Sequence, residues 1–102
     1  MVPRARKLHL FAQLMKDLKF SGREASVVRA IDFATGTLGA EILVKTRIDA
    51  QDALDILNGL LDAGFIETNP PQQEHVEMKA FYHTVFEANP AYIHQMRKSL
   101  IH

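Results

Sequence analysis

The chain has 102 residues, 47% of them hydrophobic and 24% charged, with a formal net charge of zero and no cysteine. This length and balance predict one globular domain over residues 1–102 with one hydrophobic core, and exclude a disordered chain. Without cysteine there can be no disulfide, cysteine-ligated zinc or thiol catalysis. No apolar run approaches the roughly 20 residues that cross a bilayer. We therefore expect a soluble, cytoplasmic protein with no membrane partner.

Apolar residues spaced three and four apart predict an N-terminal helix within residues 1–19. Leu8, Phe11, Met15 and Leu18 share one stripe of that helix. The stripe can pack on its own domain, or it can pair with a second copy as a short a/d seam of a coiled coil. Two heptads are too few to decide between these alternatives.

Three further helices are predicted between residues 21 and 63. The sequence from Ser21 to Glu24 has the spacing of a capping box, and the helix it opens should end near residues 35–36, at Gly36. A short helix is predicted over residues 38–46, with Thr35 or Thr37 as its cap. After a turn, a longer helix over residues 50–63 should be capped by Asp49 and ended by Gly64.

A β-hairpin is predicted next. Residues 65–68 favour a strand, residues 69–73 a proline-rich loop, and residues 75–78 alternate as a return strand. Residues 80–88 fit either a strand or a helical turn. Asn89 and Pro90 then predict the start of a last helix, in which four apolar residues share one face: Tyr92, Ile93, Met96 and Leu100.

The order helix, short helix, turn, longer helix, hairpin resembles the winged helix-turn-helix superfamily, in particular small bacterial regulators of the MarR and ArsR type. Residues 57–67, with the sequence LNGLLDAGFIE, carry the resemblance most specifically. The resemblance implies a mainly α fold with a small β-hairpin: a winged-helix core at residues 21–79 and extra helices at 1–19 and 90–102. It also implies a homodimer through the terminal helices, with an interface drawn from Leu8, Phe11, Met15, Leu18, Tyr92, Ile93, Met96 and Leu100.

The zero net charge conceals an asymmetry along the chain. Residues 1–47 carry nine Lys or Arg against four acids, residues 48–78 carry seven acids and no Lys or Arg, and residues 79–102 carry three cations against one acid. The acidic stretch covers the predicted recognition helix and wing, which in DNA-binding relatives approach the phosphates. We therefore predict a regulatory module that binds a protein, or itself, through the outward residues of this helix: Gln51, Asp52, Leu54, Asp55, Asn58 and Asp62.

Two alternatives remain open. A DNA-binding regulator could use basic residues that flank the acidic helix, namely Arg4, Arg6, Lys7, Lys45 and Arg47. The acidic face could also be merely solvated, since Asp49 and Asp52 favour the positive end of their own helix.

Catalysis and metal binding have no support in the sequence. None of the five histidines stands in an HExxH or similar ligand pattern, and no glycine-rich phosphate loop is present. His83 and Glu87 are four apart, but such a pair is usually structural. The sequence thus predicts no enzyme, no cofactor and no metal.

Overall fold

Helices dominate the computed structural model, which describes residues 20–72 and 74–100. The helices are α1 (Gly22–Ala30), α2 (Gly39–Thr46), α3 (Ala50–Ala63), α4 (Met78–Phe81) and α5 (Ile93–Ser99), with a 3-10 turn at Pro90–Tyr92 before α5. The strands are β1 (Thr37–Leu38), β2 (Ile66–Asn69) and β3 (Val85–Ala88), which form one antiparallel sheet in the order β1-β3-β2. The predicted N-terminal helix and residues 101–102 lie outside the described residues.

Helix α1 begins as predicted and ends earlier. The Ser21 hydroxyl accepts from the Glu24 amide at 3.2 Å, and Glu24 Oε1 accepts from the Ser21 amide at 2.9 Å, which confirms the capping box. The helix stops at Ala30, about five residues before the predicted end. The reason is local: the Asp32 carboxylate accepts from the amides of Ala34 and Thr35, which replaces helical hydrogen bonds by a turn.

This turn makes the stability of the fold depend on the charge of Asp32. The two backbone amides hold the pKa of Asp32 below its ordinary value of 3.8. Because the folded pKa is the lower one, the stabilisation is complete above the ordinary pKa and is lost as the pH falls through the folded value. We expect Asp32→Ala to lower the midpoint of urea unfolding at about pH 6, and the difference from the wild type to shrink towards about pH 2.

The matched control for that experiment is Asp32→Asn, which keeps an acceptor oxygen but cannot titrate. It should be more stable than Asp32→Ala at every pH. A gap between the wild type and Asp32→Ala that stayed constant across the acid range would contradict the assignment.

Helices α2 and α3 form close to the predicted positions. Helix α3 has the predicted bounds, because Asp49 accepts from the Gln51 amide at 3.1 Å and Gly64 takes a left-handed conformation with φ 83°. Helix α2 has no side-chain cap. The hydroxyl of Thr37, one of the two predicted caps, accepts from the Asp32 amide instead.

The predicted hairpin is wrong in its second strand. Strand β2 pairs with β3, in the register Ile66 opposite Ala88, and not with residues 75–78. Val76 lies in an irregular segment, and Met78 opens α4. Residues 80–88, for which strand and helix were both open, contain the end of α4 and then β3. A four-residue alternation was too short to distinguish a strand from a packed loop.

One hydrophobic cluster joins the described elements from Val27 in α1 to Met96 in α5. Phe81, Phe86 and Met96 are fully buried members of it, so the hydrophobic core includes α4, β3 and α5. At its edge, Phe65 packs edge-on against both Phe20 and Tyr92, each with ring centroids 5.7 Å apart.

Candidate interaction surface on helix α3

The exposed ridge of α3 consists of Gln51, Asp55 and Gly59, which are four residues apart and face solvent. The side-chain amide of Gln51 donates through Nε2 to Asp55 Oδ1 at 2.9 Å, which orients both side chains along the helix. Asp55 has no cation partner among the described residues. The ridge is therefore polar and negatively charged, and it is the part of the predicted partner surface that is open to a partner.

Asp52 lies beside this ridge, but its charge is compensated. Its Oδ2 is 2.9 Å from the Arg23 guanidinium in the first turn of α1, and the two side chains are 47% and 67% exposed. An ion pair this exposed contributes little to stability. Its main consequence is that Arg23, which the sequence did not connect with α3, reduces the negative charge at the start of the helix.

Asn58 has a structural role where the sequence predicted a partner contact. Its Nδ2 donates to the Val76 carbonyl at 3.1 Å, and its Oδ1 accepts from the Val76 amide at 2.9 Å. The side chain thus makes the pair of hydrogen bonds that a neighbouring strand would make. This correction has a physical reason: the half-buried amide satisfies the backbone at Val76, whose side chain is buried in the core.

Replacing Asn58 should therefore destabilise the fold. We expect Asn58→Ala to lower the free energy of unfolding by about 1–3 kcal/mol, since both polar groups of the Val76 backbone lose their partner. Urea denaturation followed by far-UV circular dichroism measures the change. Gln51→Ala, which removes an amide from the exposed ridge, serves as the control and should stay within about 0.5 kcal/mol of the wild type. Equal effects of the two substitutions would contradict the role given to Asn58.

Asp62 is engaged by the same chain segment. Its Oδ2 lies 2.8 Å from His75 Nε2, with both side chains exposed. Together with the Asn58 hydrogen bonds, this contact places residues 75–76 along the second half of α3. The surface of α3 left open to a partner is thus its exposed ridge, centred on Asp55.

Leu54 was predicted to face outward, and the structure buries it with 4% exposure. It belongs to the core stripe because Leu57 and Leu61 follow it at positions i+3 and i+7, all three on the inner side of α3. That spacing was present in the sequence and could have corrected the prediction. Leu54 is therefore not an anchor for a partner.

The described cations that were predicted to contact DNA lie at the end of α2 and do not belong to the exposed ridge of α3. Lys45 Nζ donates to the Ala30 carbonyl at 3.3 Å, at the carbonyl end of α1, where a cation is favoured. Arg47 is exposed and ends α2 in a left-handed conformation, with φ 57°. The other predicted contacts, Arg4, Arg6 and Lys7, lie outside the described residues.

The predicted dimer interface is partly used within the chain. Met96 is fully buried in the core, so it is not available to a second copy. Tyr92, Ile93 and Leu100 are half-buried and pack against the same core. The apolar face of α5 thus has a partner in its own domain. The remaining predicted interface residues, Leu8, Phe11, Met15 and Leu18, lie outside the described residues.

Two cationic side chains, which sequence reasoning missed, connect the C-terminal helix with α1 and with the turn that follows α1. Arg29 donates to the Leu100 carbonyl at 3.0 Å, and the Arg97 guanidinium lies 5.6 Å from the centre of the Phe33 ring. No short-range spacing in the sequence signals either contact, because both join residues far apart along the chain.

Acidic residues also oppose each other on the sheet. Glu67 in β2 is the direct neighbour of Glu87 in β3, on the face that alternates with the buried residues Ile66, Phe86 and Ala88. Neither carboxylate has a cation partner among the described residues. Like charges in direct opposition repel, so the outer face of the sheet extends the negative charge of the protein.

Within residues 20–72 and 74–100, histidines and carboxylates do not gather in groups of three or more that could hold a metal ion. In the same part of the chain, every helix is too short or too polar to cross a membrane. Comparison with protein-family models, with curated proteins and with solved structures finds no match for this chain. The function of this protein is therefore inferred from the geometry and charge of its described surface.

Proposed function

We propose that this protein is a winged-helix regulatory module that acts through protein contact, with a second copy of the chain as its partner. The order helix, strand, helix, helix, strand, short helix, strand and the sheet order β1-β3-β2 support the winged-helix assignment. In that assignment α3 is the recognition helix. Fold alone does not define function, so the proposal depends on what α3 presents to a partner.

The observation that carries the proposal is the charge of that helix and its surroundings. Residues 48–78, which include α3 and β2, contain seven acids and no Lys or Arg. The open ridge presents Asp55 without a cation partner. Cationic side chains of a protein bind the phosphate backbone of a nucleic acid, and carboxylates repel it. The same surface attracts a cationic protein segment, and such contacts are steered by charge and weakened by salt.

Sedimentation equilibrium tests self-association. We expect the wild type to form a dimer whose dissociation constant rises with salt, and Asp55→Lys to raise the constant by about tenfold or more. Glu41→Lys, an equal charge change on the exposed side of α2, should leave it unchanged. A wild type that stays monomeric at millimolar concentration, or equal effects of the two variants, would overturn the proposal.

DNA binding is the competing outcome, and fluorescence polarisation with duplex DNA measures it. At low salt we expect the wild type to bind more weakly than about 10⁻⁴ M, the weak end of non-specific affinity. The pair Gln51→Lys with Asp55→Lys should increase binding more than the pair Glu41→Lys with Gln95→Lys, which adds the same charge elsewhere. Micromolar binding by the wild type that falls steeply with salt, and is lost on neutralising Arg4, Arg6 and Lys7, would establish a DNA-binding regulator instead.

A further inference from the structure

Gly59 occupies the middle of the exposed ridge of α3. A Cβ atom built on it would meet nothing within 4 Å among the described residues, so the fold of the described part does not require glycine there. Glycine in a helix interior is less favourable than alanine, because it gains no packing and loses more chain entropy. Its benefit at a helix surface is that another chain can approach the backbone closely.

The distribution of charge along the chain indicates which segment approaches the backbone at Gly59. The described part carries seven Lys or Arg against eleven acids, a charge of −4, while residues 1–19 carry five against one, a charge of +4. The two parts of the chain are therefore complementary. Docking α3 of one copy on α3 of another would instead bring Asp55 against Asp55, which repels.

We propose that residues 1–19 of a second copy lie across α3 at Gly59, with their basic side chains beside Asp55 and its acidic neighbours. This inference deepens the proposed function and rests on it, since it names the segment that the acidic ridge binds. In a symmetric pair each copy gives its basic segment and receives that of the other, so the contact is made twice.

The apolar residues of the segment favour a second copy over the same chain. Leu8, Phe11, Met15 and Leu18 need an apolar surface to cover them, because removing apolar side chains from water is favourable. Val44 and Tyr82 are the large hydrophobic side chains that the described part leaves exposed. Val44 lies on α2 and Tyr82 just after α4, so neither belongs to the ridge of α3. Two copies can instead cover each other's stripe and hold both basic segments between the two domains.

Isotope-mixed cross-linking tests which chain supplies the segment. Light and heavy copies of the full-length wild type are mixed and treated with a carbodiimide, which joins a lysine to a carboxylate in direct contact. We expect light–heavy peptides that link Lys7, Lys16 or Lys19 to Asp52, Asp55 or Asp62. Links found only between peptides of the same isotope would place the segment on its own domain and overturn the inference. An absence of links from α3 in a dimer would also overturn it.

Substitution of Gly59 gives an independent test that needs no cross-linker. We expect Gly59→Leu to raise the dimer dissociation constant by about tenfold or more, and Gly59→Ala to raise it less, because each side chain holds the second copy away from the helix. The monomer should unfold at a temperature no lower than that of the wild type, since both residues are better helix formers than glycine. Gln95→Leu, an equally large apolar side chain on the exposed side of α5, is the matched control.

Comparing Asp55→Lys with Gly59→Leu separates failure of this inference from failure of the proposed function. If Asp55→Lys weakens the dimer while Gly59→Leu leaves it unchanged, the acidic ridge is a contact surface but residues 1–19 do not cross it at Gly59. If neither variant changes the dimer, both proposals are wrong.

Discussion

Gly39→Ala should lower the free energy of unfolding by about 3 kcal/mol, the upper part of the range for overpacked sites. A Cβ atom at this position would overlap the backbone oxygen of Phe81 and lie 2.8 Å from two carbons of its ring. Neither group can move easily, because Phe81 is fully buried. The Gly39 amide also donates to the Thr84 carbonyl at 3.0 Å, which holds the start of α2 against this part of the chain.

Gly22→Ala is the matched control for that substitution. A Cβ atom at Gly22 meets nothing within 4 Å, and the residue is the first of α1. Its free energy of unfolding should therefore stay within about 0.5 kcal/mol of the wild type or increase slightly. Urea denaturation by circular dichroism compares the two. A Gly39→Ala protein as stable as Gly22→Ala would show that α2 and α4 do not approach as closely as described.

Phe86→Ala should lower the free energy of unfolding by about 3–5 kcal/mol. Phe86 lies in the central strand β3, is fully buried, and packs against Phe81 with ring centroids 6.0 Å apart. Removing its ring leaves a cavity that cannot close easily, because the strands on both sides of β3 hold the backbone in place. Since a domain of this size is stable by only about 5–15 kcal/mol, we expect a marginally folded protein.

Tyr82→Ala distinguishes burial from aromatic contact as the cause. Tyr82 also packs against Phe81, with centroids 5.4 Å apart, but is 40% exposed. Its loss should reduce the free energy of unfolding by about 1 kcal/mol, the value of an aromatic pair without full burial. If thermal and urea unfolding gave Tyr82→Ala the same loss as Phe86→Ala, the core described around β3 would be wrong.

The charge pattern of the site could be predicted, but the roles of its residues could not. Residues 48–78 contain no Lys or Arg whatever the fold. That Arg23 compensates Asp52, and that Asn58 holds the Val76 backbone, depends on contacts 29 and 18 residues apart along the chain. A single sequence carries no local signal for such pairs. Leu54 is different, since its spacing to Leu57 and Leu61 was a signal that the interpretation of the charge pattern overrode.

Local chemistry alone determined where α1, α3 and the 3-10 turn begin and where α3 ends. Ser21, Asp49 and Asn89 cap the helices that follow them, and Gly64 ends α3, because caps and left-handed turns involve residues only two to five apart. Only the tertiary structure decided that β2 pairs with β3, that Met96 belongs to the core, and which acids remain open on α3. These outcomes depend on burial and on long-range pairing, where competing local patterns have similar free energies until the whole core is assembled.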